Sequence, residues 1–140
     1  MNNEKDNVYD LVEDFYAHDE GWNTLLRQEY AEGFLRMEAW KGKKNSDLYR
    51  SWDNLTMLCL YLGSAETFLG DMNADDFIDC IAWCGRNISE FTPDYKNTQD
   101  FLETCDGLFK YLKGKNAISN DTVPLSLIHI SEPTRPRLIS

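Results

Sequence analysis

Cys59, Cys80, Cys84 and Cys105 are the side chains in this 140-residue chain best suited to chemistry. Cys80 and Cys84 stand one helical turn apart. Four thiolates would hold tetrahedral zinc if their sulfurs converged from three helices, but the paired C-x-x-C knuckles that mark such sites are absent. Each cysteine also falls on an apolar stripe, where a free thiol packs as a small hydrophobe. Core packing is therefore the expected role, with the convergence of the four sulfurs left open. A nucleophile needs a base beside it. The chain has two histidines, His18 in a connection and His129 near the C-terminal end, and neither completes a Ser-His-Asp or Cys-His arrangement.

A second pattern lies between the third and fourth helical segments. Asp71, Asn73 and Asp75 occupy the first, third and fifth positions of a calcium loop, and Asp79 the ninth. The sixth position, which needs glycine for its sharp turn, is Asp76, and the twelfth, which needs a bidentate glutamate, is Ala82. Acids at a helix start are explained by the helix dipole instead. Walker, dinucleotide-binding and H-E-x-x-H patterns do not occur. On this reading the chain is not an enzyme. It has no catalytic, cofactor-binding or metal residues, no cofactor and no small-molecule ligand.

The elements that would position any site are helices. Val8, Leu11, Val12, Phe15 and Tyr16 mark one face of a first helix, about Asn7 to Ala17, with Asp6 or Asn7 as cap. Trp22, Leu25, Leu26, Tyr30, Phe34 and Met37 predict a second helix running to about Trp40. Gly42 and the cations Lys41, Lys43 and Lys44 follow it and suit its negative end. Ser46 or Asp47 can cap a third, whose Leu48, Trp52, Leu55, Leu58, Cys59 and Leu62 keep the period until Gly63. Asn73 caps a fourth, with Phe77, Ile81 and Cys84 inward, ending near Arg86. The last has Thr92 as cap, Pro93 in its first turn, and Phe101, Leu102, Cys105, Leu108, Phe109 and Leu112 on one stripe ended by Gly114. Five amphipathic helices with short connections predict an all-α chain, a single compact bundle over 1–118, followed by a tail over 119–140 that is disordered or artefactual.

Composition narrows the function. Fourteen Lys and Arg against 24 Asp and Glu give a net charge of −10, which repels DNA phosphates and anionic lipid. No apolar stretch is long enough to span a bilayer, and the polar start, Met1 to Asp6, has no apolar h-region behind it. The expected location is cytoplasmic, without membrane association. From Leu125 to Arg135 the chain resembles the conceptual translation of an adapter used in transposon-based sequencing libraries, over eleven consecutive residues. Residues 125–140 are accordingly set aside as non-native. The remainder holds 12 basic and 23 acidic residues for a charge of −11, and its natural frame is expected to continue past Pro124.

Between Asn54 and Ile118 runs the order Asn54-Leu-Thr-Met-Leu-Cys-Leu-Tyr-Leu-Gly63, Leu69-Gly-Asp-Met-Asn-Ala-Asp-Asp-Phe-Ile78, Thr92-Pro-Asp-Tyr95, Phe101-Leu102 and Leu108-Phe-Lys-Tyr-Leu112. This order resembles the small helical core-binding domain that precedes the catalytic domain of tyrosine recombinases and phage integrases. The resemblance implies a helical fold and association with DNA, with the family's Arg, His-x-x-Arg and Tyr set in a following domain. The chain departs from the family in charge, because Arg86, Lys96 and Lys110 are the cations of residues 54–112.

Three function classes follow. The first is a non-catalytic acidic helical interaction domain, the N-terminal fragment of a longer cytoplasmic protein, with an unidentified protein partner. The second is a DNA-associated core-binding domain of a recombinase-like protein. The third is an acidic inhibitor imitating nucleic acid. Trp22, Trp52 and Tyr95 serve either as partner anchors or as core.

Overall fold

The computed structural model describes residues 7–118; the adapter-like segment at 125–135 lies outside them. The described chain is all-α, with five helices and no strand. It falls into two compact units, Met1–Leu69 and Gly70–Ser140.

The first unit packs α1 (Val8–His18), α2 (Gln28–Trp40) and α3 (Asn45–Ala65) against one another. Asn7 caps α1, its side-chain oxygen accepting the Asp10 N–H at 3.1 Å. Val8, Val12 and Tyr16 form the buried i, i+4 stripe of α1. Leu11, expected inside, is 42% exposed on the flank of that stripe.

The apolar period that begins at Trp22 does not give one continuous helix. Glu20–Thr24 is a short 3-10 turn, opened by Asp19 accepting the Gly21 N–H at 2.8 Å, and α2 starts only at Gln28. Two side chains account for the break. The Asn23 amide oxygen accepts the Gln28 N–H at 2.8 Å, and the buried Tyr16 hydroxyl donates to the Leu26 carbonyl. Both backbone groups are thereby satisfied by side chains rather than by a helical ladder. Within α2 the buried residues are Ala31, Phe34 and Leu35, while Tyr30 and Met37 are half-buried.

After α2, Gly42 takes a φ of +105°, a conformation costly for any residue with a Cβ. Helix α3 begins before the expected caps. Asp47 lies inside its first turn and accepts the Lys44 N–H at 3.3 Å. Nor does the helix stop at Gly63: it runs to Ala65 and ends where Glu66 turns left-handed at φ 55°.

A 3-10 turn (Leu69–Asp71) runs across the boundary in sequence, and the second unit carries α4 (Ala74–Asn87) and α5 (Tyr95–Gly114). Helix α4 buries Phe77, Cys80 and Cys84 and leaves Ile81 half-buried. Asp94, not Thr92, caps α5, accepting the Asn97 N–H at 2.8 Å, while the Thr92 carbonyl accepts from the Asn97 side chain at 2.9 Å. Pro93 therefore precedes the helix instead of opening it. Its ring packs on α4, where a Cβ at Gly85 would lie 2.8 Å from Pro93 Cγ. Phe101, Leu102, Cys105, Leu108, Phe109 and Leu112 are all buried, and the Phe77 and Phe109 rings meet edge to face at 5.3 Å. Asp106, buried on the same helix, is compensated by Lys110 Nζ at 3.0 Å.

Two substitutions test this unit by urea unfolding. Leu108→Ala removes a fully buried side chain and should cost about 2–5 kcal/mol; a loss under about 0.5 kcal/mol would place the stripe in solvent. Gly85→Ala drives a methyl into a rigid pyrrolidine ring, and a cost of about 1–3 kcal/mol is expected despite the better helix propensity of alanine.

Candidate functional site

The four cysteines are divided between the two units. Cys59 lies in α3 of the first unit; Cys80 and Cys84 lie in α4 and Cys105 in α5 of the second, and all four are buried free thiols. Burial pushes the Cys59 thiol up to about 12. Cys80 is raised far above the ordinary thiol range, first by its hydrogen bond to Cys84 and then by burial. The same bond holds the Cys84 sulfur below that range. Among the described residues no group of three His, Cys, Asp or Glu side chains is placed to hold a metal ion. The calcium-like acids have another use: Asn73 accepts the Asp76 N–H at 3.0 Å, and Asp76 accepts the Asn73 N–H at 2.9 Å, a reciprocal cap on α4.

An open cleft of about 490 Å³ lies in the first unit, built by α1, the 3-10 turn and α3. Leu11, Phe15, Trp22 and the buried Trp52 line it, together with the exposed Asp14, His18 and Asp53. The rings are fixed by one another. Phe15 stacks on Trp22, centroids 4.9 Å apart and planes 19° from parallel, and it meets Trp52 edge to face at 5.3 Å. Trp22 also lies over α3, 3.6 Å from where a Cβ at Gly63 would sit. Of the anchors expected from sequence, Trp22 and Trp52 are brought together here, while Tyr95 lies in the other unit, half-buried.

The charges around the cleft are acidic. His18 Nδ1 donates to the Asp14 carbonyl at 2.9 Å and lies 3.7 Å from Asp14 Oδ2. Its pKa is raised, chiefly by that backbone hydrogen bond and next by the Asp14 charge. Asp53 is raised by desolvation against the aromatic wall. Among the described residues it has no ion-pair partner, and no Lys or Arg lines the cleft.

Sequence periodicity selected Trp22 and Trp52 but missed the cleft, because Leu11, Phe15 and the two tryptophans read as one continuous core. The signal for it was the pair Asp14 and Asp53 beside those apolar positions. A second hollow, near the start of α2, is polar, and its groups pair internally: Arg27 with Glu29 at 3.3 Å, and Gln28 with Glu32 at 3.0 Å. No protein-family model, curated protein or solved structure matches the chain.

The two shifts make stability statements of definite sign. Folding favours protonated His18, so its contribution is full below the unfolded value near 6.5 and is lost as pH rises through the folded value. NMR titration should place the His18 midpoint above 6.5, and a midpoint at or below 6.5 would contradict the bond to Asp14. Folding also disfavours ionised Asp53, so stability falls as pH rises through its raised folded value. Asp53→Asn should therefore stabilise the protein at neutral pH but not in acid. The gain is at most about 0.5 kcal/mol, because solvent screens this exposed carboxylate.

Proposed function

We propose that the chain is a non-catalytic, acidic helical interaction domain of a longer cytoplasmic protein, and that a partner protein seats in the aromatic cleft of the first unit. The observation that carries this reading is the open apolar surface of Leu11, Phe15 and Trp22 laid over the buried Trp52. Leu11 is 42% exposed there, although a third of a turn away the α1 stripe is wholly buried. Aromatic side chains held rigid by their neighbours are what interfaces use as anchors, since little rotamer entropy is lost when a partner arrives. The acids around the wall keep it soluble and select against acidic partners. No described helix is long and apolar enough to cross a membrane.

Titration of the isotope-labelled protein with a panel of short synthetic apolar, basic and acidic peptides, followed by NMR, tests this function. Binding peptides should shift Leu11, Phe15, Trp22 and Trp52. Leu11→Glu, at an exposed position, should leave the circular dichroism unchanged and weaken binding about tenfold or more. Shifts spread over the acidic surface that bypass the cleft would favour a nucleic-acid mimic instead. Unchanged affinity in Leu11→Glu would remove the cleft from the interaction.

A further inference from the structure

We infer that the group received by the cleft is a positively charged side chain, a lysine ammonium or arginine guanidinium, presented by a basic segment of the partner protein. This inference rests on the interaction reading and names the chemistry of its occupant.

The first argument is the composition of the cleft. Three aromatic rings line it, the half-buried Phe15 and Trp22 and the buried Trp52, with Phe15 near-parallel to Trp22 and near-perpendicular to Trp52. A cation is attracted to the electron-rich face of such rings, most of all to tryptophan, and the attraction grows when both are withdrawn from water. A purely apolar occupant would gain from the rings alone. It would gain nothing from Asp14 and Asp53, and would take water from their exposed carboxylates.

The second argument is the unbalanced charge. Asp14 has the exposed His18 within 3.7 Å, while Asp53 stands against the aromatic wall without an ion-pair partner among the described residues. An incoming cation held over the rings would stand beside that unpaired carboxylate and pair with it. The third argument is the long-range field: a chain of net charge −10 steers cationic segments toward itself and repels acidic ones. A lysine or arginine side chain also suits the mixed lining, because its methylene stem can pack along Leu11 and the rings while its head meets the carboxylates.

The test uses the full chain carrying Trp40→Phe and Trp83→Phe, so that fluorescence reports Trp22 and Trp52 alone. It is titrated with short peptides identical except at one central position, which holds lysine, arginine or norleucine; norleucine keeps the aliphatic stem and lacks the charge. The lysine and arginine peptides should bind about tenfold more tightly than the norleucine peptide. That preference should vanish in the variant Asp14→Asn with Asp53→Asn, and should shrink on adding salt while norleucine binding stays constant.

Norleucine binding as tightly as lysine, with Leu11→Glu abolishing both, would overturn the inference and leave an apolar docking cleft, so the interaction reading would stand. Absence of any peptide response at Trp22 and Trp52 would overturn both. If the double aspartate variant fails to fold, the salt dependence of the unsubstituted cleft decides: an unchanged lysine-to-norleucine ratio counts against the cation.

Discussion

A tyrosine hydroxyl taken out of water must find an acceptor, and in the first unit that requirement governs the connection between α1 and α2. Tyr16 is buried among apolar side chains, and its hydroxyl reaches the carbonyl of Leu26. The chain between them must therefore return toward α1 within ten residues. It does so by a 3-10 turn and a short break instead of by continuing the helix that its apolar period suggests. Because the turn is held at both ends, by Asp19 and by Asn23, Trp22 has one place to go: onto Phe15 and over Gly63. The aromatic cleft is a by-product of satisfying one buried polar group.

Much of the acidity has a local structural purpose. Asp19 opens the 3-10 turn, Asp47 and Asp76 close the first turns of α3 and α4, and Asp94 caps α5. Each satisfies an orphan amide and places negative charge at the positive end of a helix. Asp106 is held by Lys110. These carboxylates are engaged with the backbone or with a neighbouring cation. The acids that stand beside the aromatic rings are different, since among the described residues Asp53 meets neither an amide cap nor an ion pair. Net charge alone would not have separated the two kinds.

Helix identity was legible in the residues because long apolar stripes leave little choice. Phe101 to Leu112 and Leu48 to Leu62 fall inside wherever a helix is drawn through them. Helix ends were less legible, since several residues compete for each cap. Asp94 displaced Thr92 by reaching the Asn97 amide, and Glu66 adopted a left-handed turn that a sequence reader assigns to Gly63. Periodicity also overstates burial: it placed Leu11 with Val12, although only the latter lies on the buried line. The cleft was the least legible feature, for it depends on three rings from separate elements meeting at fixed angles, and its one trace in the sequence is the placing of Asp14 and Asp53 beside apolar positions.

The four thiols give the chain an internal clock. Cys59 belongs to one compact unit and Cys80, Cys84 and Cys105 to the other, and all are shielded from solvent. A thiol reagent can reach them only when the surrounding structure opens, so labelling speed measures opening frequency, not intrinsic nucleophilicity. Modification at Cys59 times the breathing of α1, α2 and α3, and modification at Cys80, Cys84 or Cys105 times that of α4 and α5. Peptide mass mapping after a reagent pulse would thus read two separate opening rates from one unlabelled, unmutated molecule, and their ratio would say whether the two halves unfold as one cooperative body or as two.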